Sequence, residues 1–170
     1  MKKTILIGFI AFGLLTACKK EEVKPSTSNE STPKTPKVEY NNFKITSIQV
    51  NKIPMVDESG SSWDTFDGPD LKFNIEDLNS KVLYDGTSSR FEDLVLSSFP
   101  IKWSFTSPYQ ITNFDLNYFI TLYDYDYPDD DDNIGYVGIN FNQYKTDYPT
   151  TITKSSLDGS IALTVKGNWY

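Results

Sequence analysis

The sequence has no histidine and a single cysteine, Cys18, among its 170 residues. Without histidine the chain cannot form a Ser-His-Asp triad, a Cys-His pair or a histidine-rich zinc site. A lone cysteine also excludes an internal disulfide. Basic residues are in the minority, 16 against 23 acidic ones, and no basic stripe is present to displace the counterions of nucleic-acid phosphates. Nucleic-acid binding is therefore not expected, and the chemistry of any site has to come from carboxylates, hydroxyls, lysines or the backbone.

The N-terminal segment has the pattern of a targeting sequence. Lys2 and Lys3 precede an apolar run over residues 5–15, which is too short to span a bilayer. The run leads into LTAC, Leu15 to Cys18, which resembles a bacterial lipobox. We therefore predict a lipoprotein signal peptide over residues 1–17 and lipidation of Cys18, with an ordinary secretory signal as the alternative.

Residues 18–41 are predicted to be the lipidated cysteine followed by a flexible linker, because the segment has few apolar residues and many Ser, Thr, Pro and Lys. The KKEE run after Cys18 resembles the signal that sends Bacteroidetes lipoproteins to the outer leaflet of the outer membrane. That resemblance implies an outer-membrane lipoprotein exposed at the cell surface, although a polar linker can contain such a run by chance. Loss of Lys2 and Lys3 with the signal leaves 14 basic and 23 acidic residues, a net charge of −9.

Residues 42–170 have the alternating pattern of half-buried β-strands. The segment 43–50 begins in phase at Phe43 and Ile45 and slips to Ile48 and Val50, which predicts a β-bulge. Seven or eight short strands separated by Gly, Pro, Asp and Ser indicate one all-β domain, an antiparallel β-sandwich. The other predicted strands are LKFNI (71–75), KVLY (81–84), IKWSF (101–105), YFITLY (118–123), VGINF (137–141) and IALTV (161–165).

Acidic residues are concentrated in two segments with a regular spacing. Asp64 and Asp70 stand six residues apart, and Asp70 leads into a predicted strand. Asp124 and Asp126 follow another strand two residues apart, and Asp132 comes eight after Asp124. Side chains two apart in a strand point to the same side, so Asp124 and Asp126 can present their carboxylates to one ligand.

This spacing resembles that of the C2 domains, which are calcium-binding β-sandwiches. In that family two aspartates six apart precede a strand, and a later Asp-x-Asp is followed by a third aspartate and then a glycine, here Gly135. The resemblance covers roughly residues 43–170 and implies an eight-stranded C2-like sandwich that binds Ca²⁺. The implied ligands are Asp64, Asp70, Asp124, Asp126 and Asp132, with the backbone carbonyls of Thr65 and Tyr125 as additions.

Calcium suits these residues on chemical grounds as well, because it takes about six to eight oxygen ligands from mobile loops, whereas Mg²⁺ prefers few carboxylates in strict octahedral geometry. An EF-hand starting at Asp124 is excluded, since its sixth position is Asp129 rather than Gly and its twelfth is Gly135 rather than Glu. The remaining acids of these loops are expected to be solvated charge, although Asp129 and Asp130 are candidates for a second ion. They are Asp67, Asp129, Asp130 and Asp131.

The function expected from this site is a non-catalytic, lipid-anchored module in which calcium orders the loops for an anionic lipid, glycan or protein. Phe66, Tyr127 and Pro128 are candidates for apolar loop tips that enter a headgroup region, or alternatively pack locally. A hydrolase with paired carboxylates is disfavoured, because an exposed sandwich end lacks a cleft and oxyanion donors.

The second hypothesis is a calcium-independent carbohydrate-binding or adhesin-type surface module. It is motivated by 11 Phe, 11 Tyr and 3 Trp, some of which could form sugar platforms. Trp103 alternates into a strand and is expected to be buried. Trp169 and Tyr170 end the sequence and are the candidates for exposed rings.

Overall fold

The structure is a computed structural model that describes residues 38–64 and 68–170. Within these ranges the chain forms eight β-strands and three short 3₁₀-helices. The strands are β1 Phe43–Lys52, β2 Leu71–Glu76, β3 Val82–Asp85, β4 Ile101–Ile111, β5 Asn117–Asp124, β6 Asp132–Asn140, β7 Thr151–Ser155 and β8 Ala162–Trp169. The 3₁₀-helices are Thr87–Ser89, Leu96–Ser98 and Phe141–Tyr144. The predicted signal peptide, Cys18 and most of the linker lie outside the described residues, as do Thr65, Phe66 and Asp67.

The strands form two antiparallel four-stranded sheets, in the orders β4-β1-β8-β7 and β3-β2-β5-β6. Apolar side chains from both sheets meet in one core. The rings of Phe73 on β2 and Trp103 on β4, for example, have centroids 4.7 Å apart across the two sheets. This arrangement confirms the predicted all-β, eight-stranded antiparallel sandwich, and it confirms the expected burial of Trp103, which is 6% exposed.

The predicted bulge in β1 is present. The register of β1 with both of its neighbours shifts between Ile45 and Ser47. Because of this shift, Ile45 and Ile48 both face the core although they are three residues apart, and both are fully buried. Without the extra residue, Ile48 and Val50 would lie on the solvent side of the sheet.

Two features of the β4-β1-β8-β7 sheet differ from the sequence expectation. Strand β7 was not predicted, because its segment TITKS buries only one apolar side chain, that of Ile152. Trp169, one of the two candidates for an exposed ring, is only 8% exposed, since it pairs with Phe43 in the sheet and its indole nitrogen donates to the carbonyl of Pro149 at 2.9 Å. Trp169 is therefore a core residue, whereas Tyr170 is 55% exposed.

One end of the sandwich brings the acidic segments together. Asp124 at the end of β5 pairs with Leu71 at the start of β2 and with Asp132 at the start of β6.

At the N-terminal side of the domain, Tyr40 packs edge-to-face on Tyr148. The described part of the chain contains no helix long and apolar enough to cross a bilayer.

Candidate metal site at one end of the sandwich

Asp124 is buried because it continues the inward-facing side of β5. Tyr118, Ile120 and Leu122 on that side are core residues, and the period of two places Asp124 next in the series. Its side chain is 0% exposed. The carboxylate oxygen Oδ1 accepts a hydrogen bond from the backbone N–H of Asp70 at 2.6 Å. The other oxygen, Oδ2, is buried and has no hydrogen-bond partner among the described residues.

Two further carboxylates lie beside Asp124. One carboxylate oxygen from each of Asp64, Asp124 and Asp126 lies within 4.8 Å of the other two. Asp64 comes from the β1–β2 connection and Asp126 from the β5–β6 connection, and both are half-buried. Two sequence segments separated by about sixty residues thus converge on one point, as the aspartate spacing predicts.

The surroundings oppose ionisation of these groups. Burial raises the pKa of Asp124 to about 7, and the negative charges of Asp64, Asp126 and Asp70 act in the same direction. The hydrogen bond from the Asp70 amide acts against them but does not restore the usual value of 3.8. A carboxyl group with such a pKa changes its charge near neutral pH unless a cation fixes the ionised form.

The pKa of Asp126 is raised for related reasons. Burial is the largest cause, followed by the negative charges of Asp132, Asp131 and Asp129, while a backbone hydrogen bond from Asp132 lowers it. The field of the acidic run therefore acts on Asp126, although Asp129 itself is exposed.

Asp70 lies beside the three-carboxylate cluster and already has polar partners. Its Oδ1 accepts from the backbone N–H of Asp93 at 2.9 Å, and its Oδ2 lies 3.9 Å from Nε of Arg90. The backbone of Asp70 contacts the end of β5 and the residue after it. Its N–H donates to Oδ1 of Asp124, and its C=O accepts from the N–H of Tyr125. The structure thus gives Asp70 a positioning role, and ligation of a metal by its carboxylate stays a prediction.

Asp132 is placed opposite Asp124 by a bulge in β6. The register shifts so that Leu122 pairs with Gly135 and Tyr123 with Asn133. Gly135 has φ of 135°, a conformation that side chains with a Cβ rarely adopt. This glycine permits the irregularity that brings Asp132 level with Asp124, but Asp132 is exposed and its role as a ligand stays a prediction.

Two cations that no sequence motif indicates contact the β5–β6 connection. Lys72 on β2 forms an ion pair with Asp131 and lies 5.5 Å from the ring centroid of Tyr125. The guanidinium carbon of Arg90 lies 4.6 Å from the same centroid. Tyr125 separates the two candidate ligands Asp124 and Asp126, so contacts with two cations fix the backbone between them. Asp131, expected to be solvated, is instead half-buried in this pair.

One weak signal for these cations is visible in the sequence, since Arg90 is the sole arginine of the chain. Lys72 and Asp131 are 59 residues apart, so no local spacing indicates their pairing.

Gly68 shows how closely the β1–β2 connection approaches the β3–β4 connection. A Cβ at residue 68 would lie 1.5 Å from the carbonyl oxygen of Leu94, so only glycine fits.

The tip of the β5–β6 connection is exposed. Tyr127 is 85% exposed, and Pro128 is exposed next to it. Tyr127 therefore does not pack locally, which was one of the two possibilities for this ring. The third candidate tip, Phe66, and the candidate carbonyl ligand of Thr65 lie outside the described residues.

Comparison with known proteins gives little beyond the fold. No protein-family model matches the chain, and no curated protein matches it. Among solved structures the chain is similar to a C2 domain protein from Ramazzottius varieornatus, with 15% sequence identity and a TM-score of 0.43. The match covers 78% of this chain and 90% of that one. Such a distant likeness transfers no ligand or partner, so the function has to be argued from the aspartates themselves.

Proposed function

We propose that this chain is a calcium-binding β-sandwich module whose metal site is formed by Asp64, Asp124 and Asp126. The observation that carries the proposal is Oδ2 of Asp124, a buried oxygen without a hydrogen-bond partner among the described residues, beside two other carboxylates. A buried acceptor of this kind costs about 1–3 kcal/mol or more if it is left unpaired.

Electrostatic repulsion favours the same interpretation. Two carboxylate oxygens lie no more than 4.8 Å apart, and two unit charges at that limit repel by roughly 3–4 kcal/mol at an effective dielectric constant near 20. A divalent cation replaces this repulsion by attraction and supplies the missing partner of Asp124. No Lys or Arg forms an ion pair with Asp124 or Asp126 within the described ranges, so no basic side chain of these ranges neutralises the two carboxylates.

Calcium is favoured over other cations by the kind and placement of the ligands. All three side chains offer oxygen, and Asp64 and Asp126 come from loops, which matches the variable geometry of calcium sites. Asp70 and Asp132, together with the carbonyl of Tyr125, are near enough in the chain to complete the coordination when the loops adjust. We expect an affinity of about 10⁻⁴–10⁻³ M, as for other extracellular calcium modules.

The module is proposed to act at the bacterial surface as a binding domain without catalysis. Lipidation of Cys18 anchors it to the outer membrane, and the linker lets the domain extend from the anchor. Calcium orders the loops at the metal end for an anionic lipid, glycan or protein ligand. Support comes from the exposed tip residues Tyr127 and Pro128, which stand next to the proposed metal ligands in the chain.

Calcium titration with a matched pair of variants tests this function. Isothermal titration of the wild type should show binding, and a hundredfold excess of calcium over Kd should stabilise the fold by about 2.7 kcal/mol. Asp126→Asn should weaken binding by about tenfold or more, because it removes a charged ligand. Asp129→Asn makes the same change at an exposed residue of the same loop and should alter Kd less than about twofold.

Two results would contradict the proposal. One is the absence of both heat and a shift in melting temperature at millimolar calcium. The other is an equal loss of affinity in Asp126→Asn and Asp129→Asn, which would indicate diffuse attraction to an acidic loop instead of a defined site. Magnesium at the same concentration is the ion control and should bind more weakly.

A further inference from the structure

A cavity of about 260 Å³ lies on the face of the β3-β2-β5-β6 sheet that is turned away from the core. It is bounded by the β2–β3 turn, β5 and β6. Alternation along β2 puts Leu71, Phe73 and Ile75 in the core and turns Glu76 to this outer face. The residues of the cavity used here are Glu76, Asp77, Phe119, Thr121, Tyr123 and Tyr136.

Glu76 is a buried carboxylate whose hydrogen-bond donors are all neutral. It is 5% exposed. Its Oε2 accepts from the hydroxyl of Thr121 at 2.9 Å, and its Oε1 accepts from the hydroxyl of Tyr123 at 2.8 Å and the amide of Asn74 at 3.4 Å. None of the ion pairs in the described ranges includes Glu76. Buried charges in proteins are usually paired with an opposite charge. The carboxylate of Glu76 has no such partner among the described residues, so a cationic ligand would supply it.

Within the described ranges, the protein supplies no cation to the cavity. None of the residues that line it is Lys or Arg. Asp77 adds a second negative charge, but its Oδ1 already accepts from the backbone N–H groups of Asn79 and Lys81 and so fixes the turn. One available carboxylate is too few for calcium, which takes about six to eight oxygens. A positively charged ligand that needs only one carboxylate fits this site better than a metal ion.

Aromatic rings supply the other half of the site. Phe119 and Tyr136 line the cavity and are packed edge-to-face with centroids 5.3 Å apart. Tyr136 is 51% exposed, so a ligand can reach it from solvent. Aromatic faces attract ammonium groups through the ring quadrupole, and the attraction grows when the cation is desolvated.

The same face of the sheet already binds one ammonium group in this manner. Nζ of Lys72 lies 5.6 Å from the ring centroid of Tyr123 and 5.5 Å from that of Tyr125, and it pairs with the carboxylate of Asp131. Tyr123 also donates its hydroxyl to Glu76. Glu76 and Asp131 are thus two carboxylates with aromatic rings beside them. Among the described residues, Asp131 is paired with a lysine ammonium group and Glu76 is not.

We propose that the cavity at Glu76 binds a small organic ammonium ion, with Glu76 as the counter-ion and Phe119 and Tyr136 as the aromatic walls. The site is separate from the carboxylates of the metal end and does not depend on calcium. Binding should therefore persist in the presence of a chelator.

Two-dimensional ¹H–¹⁵N NMR of the protein, titrated with choline or methylammonium in EDTA at constant ionic strength, tests the proposal. Both salts should shift the amide signals of Thr121, Tyr136 and Gly138, while sodium chloride should not. Glu76→Gln and Tyr136→Ala should each weaken binding by about tenfold. Glu92→Gln removes an exposed carboxylate on the β3–β4 connection and should leave binding unchanged.

The two variants keep the test decisive. Tyr136→Ala changes a half-exposed ring and is expected to fold even if Glu76→Gln does not. Stronger binding of choline assigns the main attraction to the rings, and stronger binding of methylammonium assigns it to the carboxylate; either supports the site. The proposal is overturned if neither salt shifts these signals. It is also overturned if Tyr136→Ala binds the salts as tightly as the wild type and the Glu92→Gln control do.

Discussion

Asp124 ends strand β5 and Asp158 lies in the turn between β7 and β8. The surroundings of the two residues shift their pKa values in opposite directions. Asp158 lies in the β7–β8 turn, is exposed, and accepts hydrogen bonds from the hydroxyls of Ser156 and Ser160 and the amide of Ser160. These bonds lower its pKa to about 2. Asp124 is buried, one of its carboxylate oxygens has no hydrogen-bond partner in the part of the chain that the structure describes, and its pKa is raised to about 7.

The comparison shows that the number of aspartates in a segment does not identify a binding site. Asp57 resembles Asp158, because hydrogen bonds from Ser59 and Ser61 satisfy it and lower its pKa. Asp129 and Asp130 belong to the densest acidic run and are exposed to solvent. We expect a cation at an aspartate that is buried, close to other carboxylates and left with one oxygen without a hydrogen-bond partner, and Asp124 meets all three conditions within the described residues.

The largest expected effect is on the pH dependence of stability in chelator. The pKa of Asp124 is about 7 in the folded protein against 3.8 for the free group, so the folded state holds the proton more tightly. Stability from this group is complete below pH 4 and is lost as pH rises through 7, and the loss between pH 5 and pH 8 is about 2.5–3 kcal/mol. Asp124→Asn should remove this component, as measured by urea unfolding between pH 5 and pH 8.

The difference between wild type and Asp124→Asn is the informative quantity, since it cancels the other carboxylates. Excess calcium should reverse the trend in the wild type, because protons then compete with the ion as pH falls. Identical pH profiles for the two proteins in the presence of a chelator would show that the charge of Asp124 does not destabilise the folded state.

The smallest expected effect is at Asp158, the other side of the comparison. Its lowered pKa means that it contributes stability above pH 4, which is lost as pH falls toward 2. Asp158→Asn should therefore destabilise the protein slightly at pH 7 and not at pH 2, with calcium affinity unchanged. Thermal unfolding at both pH values and calcium titration check this. A change in calcium affinity would mean that the β7–β8 turn takes part in the metal site.

The fold was largely predictable because core residues recur with period two in most strands. Strand β7 escaped because Ile152 alone marks its buried side. The burial of Trp169 escaped because position at the end of a sequence does not reveal a sheet partner, here Phe43. In both cases the deciding contact is long-range, and no local pattern reports it.

The candidate site was predictable to the level of which segments meet. The spacing of Asp64, Asp124 and Asp126 identified three carboxylates that the structure brings together. It did not reveal that Asp70 uses its carboxylate for Asp93 and Arg90, because these partners come from the β3–β4 connection, where no motif was recognised. Hydrogen-bond partners that come from a third segment require the folded structure.

The decisive experiment for the proposed metal site is a crystal structure of the protein grown in millimolar calcium. We expect an ion bound by Asp64, Asp126 and Oδ2 of Asp124, at about 2.3–2.6 Å from each coordinating oxygen. Crystals in which Oδ2 of Asp124 stays without an ion, while calcium is absent from this end of the sandwich or binds elsewhere, would contradict it.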